Sequence, residues 1–154
     1  MAIYVDNSAT TAIDPQVKEA MLPFLNEYCG NPSSLHEPGH IANDAISTAR
    51  EQVANLLGCD SEEIYFTAGG TMANNIAILG RARFVEANNL GKHLITSKIE
   101  HSAILGPAQF LGASGWKVTY LPVDKEGFVD ISELRKANNK KILRLFLLLG
   151  QTMR

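Results

Sequence analysis

From Ile64 onward, short apolar runs alternate with stretches of helical periodicity, and no other feature restricts the fold as much. Ile64-Tyr65-Phe66 leads into a helical pattern (Ile76, Leu79, Ala82, Phe84) that runs to about Ala87. His93 to Ser97 reads as the next strand, followed by a helix from about Ser102 to Ala113. A strand from Trp116 to Leu121, a turn at Asp124 to Gly127 and a short helix from Asp130 to about Ala137 follow. Ile142 to Leu149, ILRLFLLL, has the continuous apolar character of a buried strand. Such alternation implies an α/β fold in three layers, a mainly parallel sheet covered by helices.

In open sheets of this kind ligands bind outside the carboxyl ends of the strands, which singles out the loops Thr67 to Thr71 and Thr96 to His101. The first lies within Phe66 to Asn75, FTAGGTMANN, read as strand, glycine turn and helix. Gly69 and Gly70 let the backbone turn sharply and let a ligand come close. The free amides of the helix start, its dipole and the Thr71 hydroxyl favour a phosphate there. A plain connection needs one glycine, so a connector and a phosphate site are both open readings. In the second loop, His101 is the candidate catalytic or stacking group, since a neutral imidazole can lie on an aromatic ring or move a proton. The alternative is a helix-capping histidine. Glu100 either orients that ring or complements the dipole of the following helix.

The N-terminal part contributes an arm and two helices. Ile3-Tyr4-Val5 passes into Asp6 to Thr11, whose small polar side chains compete with the backbone for hydrogen bonds, so an extended arm is expected. Asp14-Pro15 is a helix start, Val17, Ala20, Met21, Phe24, Leu25 and Tyr28 keep helical spacing, and Gly30 stops the run. Gly30 to His40, GNPSSLHEPGH, is excluded from helix or central strand by its prolines and glycines; it is an ordered loop near a ligand or a solvated connector. Pro38 and Gly39 keep His36 and His40 off a common helical face, and no metal site is expected. A second amphipathic helix is expected from Ile41 to Leu57, stopped by Gly58.

Composition excludes several partners. A net charge of −2 gives no electrostatic reason for nucleic acid or an acidic membrane surface. No apolar window has the length of a membrane span, and MAIYVDNSATT lacks the features of a secretion signal, so the cytoplasm is the expected location. Cys29 and Cys59 stand far apart without CxxC spacing, against a disulfide framework or a zinc site. No nucleophile elbow, Walker A loop or Rossmann fingerprint is present.

IYVDNSATT, GNPSSLH, FTAGGTMANN and ITSKIEHSAIL, in that order and spacing, resemble the N-terminal part of the cysteine desulfurases. These are fold-type-I enzymes of the aminotransferase-like superfamily, dependent on pyridoxal 5'-phosphate, and the resemblance covers residues 3 to about 137. It implies that Gly70 and Thr71 hold the cofactor phosphate and that His101 stacks on its ring and assists proton transfer. It implies, more weakly, that Ala9 and Thr10 line the substrate entrance. The activity implied is removal of sulfur from L-cysteine, giving alanine and an enzyme persulfide, for iron–sulfur cluster assembly. An iron–sulfur scaffold or other sulfur acceptor is then a partner of the full enzyme. Family members often carry Glu where this chain has Met72, which removes a polar group from that position.

The resemblance also implies that something is missing. Family members are more than twice as long, and the counterparts of the cofactor-bearing lysine, the acidic partner of the pyridine nitrogen and the persulfide cysteine fall beyond residue 154. Neither Lys98 nor Cys59 matches those positions. The chain alone is expected to be inactive, and whether it holds the cofactor stays open. Where the family reads like Ala-Asn-Asn-Glu, this chain ends in Gln151-Thr152-Met153-Arg154, the translation of such codons read one base later. The expected organisation is an arm at 1–15, a partial cofactor-binding large domain at 16–143, truncated mid-sheet, and a frame-shifted or truncated tail at 144–154. Bare sheet edges then predict a homo-oligomer. A noncatalytic interaction module, a truncated byproduct, and a fragment of another such enzyme, for example a selenocysteine lyase, are the alternatives.

Overall fold

The computed structural model describes residues 3–7, 9–138 and 144–146, and the chain divides into two compact units, Met1–Phe66 and Thr67–Arg154. Each unit is described by itself.

In the first unit the arm is not straight. The Ala9 amide donates to the Asp6 carbonyl (3.1 Å), and the Tyr4 hydroxyl donates to the carbonyls of Asp6 and Thr10 (2.9 and 3.1 Å). Helix α1, Pro15–Asn26, starts as its sequence predicts, with the Asp14 carboxylate accepting from the Gln16 amide at 2.8 Å. None of its residues is buried.

Helix α2, Glu37–Leu57, begins four residues earlier than the expected Ile41, inside the segment excluded from helix. Proline disrupts a helix interior, but in the first turn its missing N–H is an orphan in any case, and Pro38 stands there. His36 is the N-cap, its Nδ1 accepting from the Gly39 amide at 3.3 Å. His40 Nε2 lies 3.1 Å from the Leu35 carbonyl oxygen. Gly30 and Gly39 are glycines because backbone meets backbone: a Cβ on Gly30 would collide with the Pro38 carbonyl, and one on Gly39 with the carbonyl oxygens of Ser34 and Asn31. Residues 30–36 are therefore an ordered loop folded onto the start of α2, and residues 37–40 are its first turn. Gly58 ends the helix in the left-handed region (φ 70°, ψ 38°).

The expected strand at Ile64–Phe66 is absent; a 3₁₀ turn, Ser61–Glu63, precedes an unpaired segment. Ile64 has extended dihedrals (φ −95°, ψ 121°), but its carbonyl accepts from Arg50 Nε at 3.2 Å and Tyr65 is 81% exposed. A strand is a pairing between chains, not a local conformation, and no strand lies alongside this run among the described residues.

The second unit contains the expected parallel sheet. Strands β1, His93–Ser97, β2, Lys117–Leu121, and β3, Arg144–Phe146, are all parallel in the order β2-β1-β3, with Leu94 opposite Val118 and Leu145. Every residue of central β1 is buried, as expected of a strand covered on both faces. Helices α3, Gly70–Ala87, and α4, Ser102–Ala113, pack on it through Ile78, Ala82 and Val85, Leu94, and Ile104, Ala108 and Leu111. Trp116 joins this core and donates from Nε1 to Glu86 Oε1 at 2.9 Å, the atom that also pairs with Lys92 Nζ at 2.9 Å. Helix α5, Ile131–Ala137, is capped by Asp130 and packs beside β2. Of the expected strand Ile142 to Leu149, residues 144–146 are β3 and the others lie outside the described residues, as does the rest of the tail at 147–154. Among the described residues no helix is long and apolar enough to cross a membrane.

Candidate functional site

The site is built from the first turns of two helices. At α3, Gly69 is the N-cap with extended dihedrals (φ 164°, ψ 172°), Gly70 is the first helical residue, and no side chain caps the helix. The first intrahelical bond runs from the Ala73 amide to the Gly69 carbonyl (3.1 Å), so the first-turn amides of Gly70, Thr71 and Met72 precede the helical ladder. The chain bends at Ala68 and Gly69 before the helix, and it does so without either Gly69 or Gly70 entering the left-handed region. Packing does not demand them either: a Cβ built on either residue meets nothing within 4 Å. What two glycines provide is clear access to unclaimed amides at a positive helix end, the environment a phosphate selects.

At α4 the N-cap is His101 (φ −62°, ψ 152°), whose Nδ1 accepts from the Ala103 amide at 3.1 Å. The capping alternative thus describes one edge of the ring. An accepting Nδ1 puts the proton of the neutral ring on Nε2, a donor on the opposite edge of an exposed side chain. Beneath it Ser97 and Glu100 are buried, and the Ser97 hydroxyl donates to Glu100 Oε1 at 2.9 Å.

The two helix starts share a cavity of about 480 Å³, lined from α3 by Thr71, Asn75 and Leu79 and from α4 by Ser102, Ala103 and Phe110 among others. Ser102 is the residue after His101, so the cavity adjoins the ends of both loops singled out from the sequence, while His101 and Gly70 themselves are not among its lining residues. A second opening of about 530 Å³ runs along Ala68 to Met72 and Asn75. The site thus presents an uncapped, positive helix end beside apolar walls, an arrangement that fits a phosphorylated aromatic cofactor.

Sequence reasoning missed Asn75 and Ser102. Asn75 is four residues after Thr71, on the same helical face, and its amide nitrogen donates to the Thr71 carbonyl at 2.8 Å. Ala9 and Thr10 belong to the first unit, where both are exposed. Among the described residues no three His, Cys, Asp or Glu side chains group as metal ligands.

The aminotransferase class-V family profile matches residues 3–150. The cysteine desulfurase IscS of Dictyoglomus turgidum is 51% identical over 138 residues, 90% of this chain and 34% of that protein. A NifS-like protein superposes with a TM-score of 0.86 at 40% identity, over 92% of this chain and 38% of the other. The structure of SspA in complex with cysteine gives a TM-score of 0.79 at 36% identity, over 87% and 38%. The chain spans about a third of the length of the curated relatives it matches. Over residues 3–150, then, this chain belongs to the aminotransferase class-V family, which uses pyridoxal phosphate, and the curated relatives named above are cysteine desulfurases.

Proposed function

We propose that the chain is the N-terminal, cofactor-holding portion of a cysteine desulfurase, which takes sulfur from L-cysteine, leaving alanine and an enzyme persulfide, and passes it toward iron–sulfur cluster assembly. The observation that carries this reading is the shared cavity at the starts of α3 and α4. The Gly70 and Thr71 amides and the Thr71 hydroxyl would hold the cofactor phosphate, and the His101 ring, its proton held at Nε2 by the bond that Nδ1 accepts, would face the cofactor ring. Pyridoxal phosphate, when bound, supplies an electron-withdrawing ring that stabilises negative charge developing on the amino-acid substrate. The relative solved in complex with cysteine supports the substrate class. The whole enzyme is a cytoplasmic homo-oligomer that hands sulfur to a scaffold or other acceptor protein.

The test titrates the isotopically labelled chain with a pyridoxal phosphate analogue lacking the aldehyde, which cannot react with surface lysines. The Gly70 and Thr71 amides are expected to shift, and Thr71→Ala to weaken binding about tenfold, the loss of one charge-assisted bond of roughly 1.5 kcal/mol. A folded chain whose Gly70 and Thr71 amides stay unmoved at millimolar analogue refutes the assignment.

A further inference from the structure

We propose that Glu100 is a positioning residue for His101, acting through Ser97 and the turn that delivers the ring to the start of α4. The proposal rests on the reading of His101 as the group facing the cofactor. Ser97, the last residue of β1, is 2% exposed and Glu100 is 8% exposed, and the 2.9 Å bond between them closes the turn from end to end. The Lys98 amide donates to the Leu121 carbonyl at 3.0 Å, pinning the same turn to β2. His101 is the next residue, so the direction in which the chain leaves this turn decides whether Nδ1 can reach the Ala103 amide.

The second carboxylate oxygen of Glu100, Oε2, is buried and has no hydrogen-bond partner among the described residues. A buried acceptor left unmatched works against folding, and native structures hold few of them. Holding Ser97 needs one acceptor atom, so a carboxylate is a costly choice for a turn whose only task is stability. That cost falls one residue from the candidate stacking ring. Unsatisfied groups gather where function overrides packing, which assigns Glu100 to the site rather than to the core.

The test reads the imidazole nitrogens of the labelled 154-residue chain at pH about 8, above the ordinary histidine value of about 6.5, with no ligand added. Wild-type His101 is expected to show one tautomer, protonated at Nε2. In Glu100→Ala, and in Ser97→Ala, which removes only the donor, the Nδ1 resonance moves from its unprotonated position toward the average of the two tautomers. His36, which caps α2 through Nδ1 in the other unit, stays put and serves as the internal control. An unchanged His101 ring in either folded variant overturns the proposal, as does His36 shifting with it or a wild-type ring without the single tautomer. Should Glu100→Ala fail to fold, Ser97→Ala decides. Because no cofactor is present, failure here leaves the phosphate assignment intact, and a failed cofactor titration leaves this result intact.

Discussion

Gly70→Ala separates the two reasons for which a glycine can begin α3. Were the residue there for its backbone, alanine would strain the helix start; were it there for access, alanine would be welcome until a ligand arrived. Gly70 is the first helical residue, is not among the positive-φ glycines, and has open space where a Cβ would go. Alanine loses less conformational entropy on folding and helps a helix, so a gain of about 0.4–1 kcal/mol is expected, reduced somewhat because this is a helix end. At a urea slope of roughly 1–3 kcal/mol/M the midpoint should rise by a few tenths of a molar unit. The same methyl lies on the approach to the Gly70 and Thr71 amides, so affinity for the aldehyde-free analogue should fall about tenfold or more, a loss of roughly 1.4 kcal/mol or greater. Stability up and binding down is the signature. Gly39→Ala is the contrast: its Cβ meets the Ser34 and Asn31 carbonyls, and overpacking of this kind costs about 1–3 kcal/mol. A Gly70→Ala chain less stable than wild type by 1 kcal/mol or more, or one that binds the analogue unchanged, would refute the access argument.

Two further outcomes follow from the second unit. Ile104 is fully buried between α4 and the sheet, so Ile104→Ala should lower stability by about 2–5 kcal/mol, read as a urea midpoint at unchanged slope. The Glu86 carboxyl is held below its ordinary value of 4.5, first by the Lys92 hydrogen bond and then by that from Trp116; the Asp130 carboxyl is held below 3.8 chiefly by the Ser132 backbone amide. A carboxyl lowered in the folded state contributes stability above its unfolded value and loses it as pH falls through the folded one. Urea midpoints should therefore decline below about pH 4.5, and Glu86→Gln together with Asp130→Asn should flatten that decline; an unaltered profile counts against both assignments.

Where local chemistry decides an outcome, the sequence was sufficient. Asp14-Pro15 needed only its own carboxylate to start α1, and Gly58 only its freedom at φ 70° to end α2. Where the outcome depends on what lies alongside, it was not. Ile64-Tyr65-Phe66 has strand composition and extended dihedrals at Ile64, yet finds no pairing partner among the described residues. Pro38 and Gly39 read as helix breakers because the rule against them concerns helix interiors, and only the folded loop reveals that they occupy a first turn. At the site, the helix starts of α3 and α4 were legible as separate features. Their convergence on one cavity through Thr71 and Ser102, with Asn75 beside them, is tertiary information that no single stretch carries.

The order of strands across the sheet has a temporal side. β1 is flanked by β2 and by β3, and β3 is supplied by residues 144–146. On a ribosome, then, the strand at the heart of this unit waits with one flank bare until residues 144–146 have been made. Any pause or cleavage ahead of Arg144 prolongs the life of an unpaired edge, and nascent chains held there should be the ones that capture chaperones or each other.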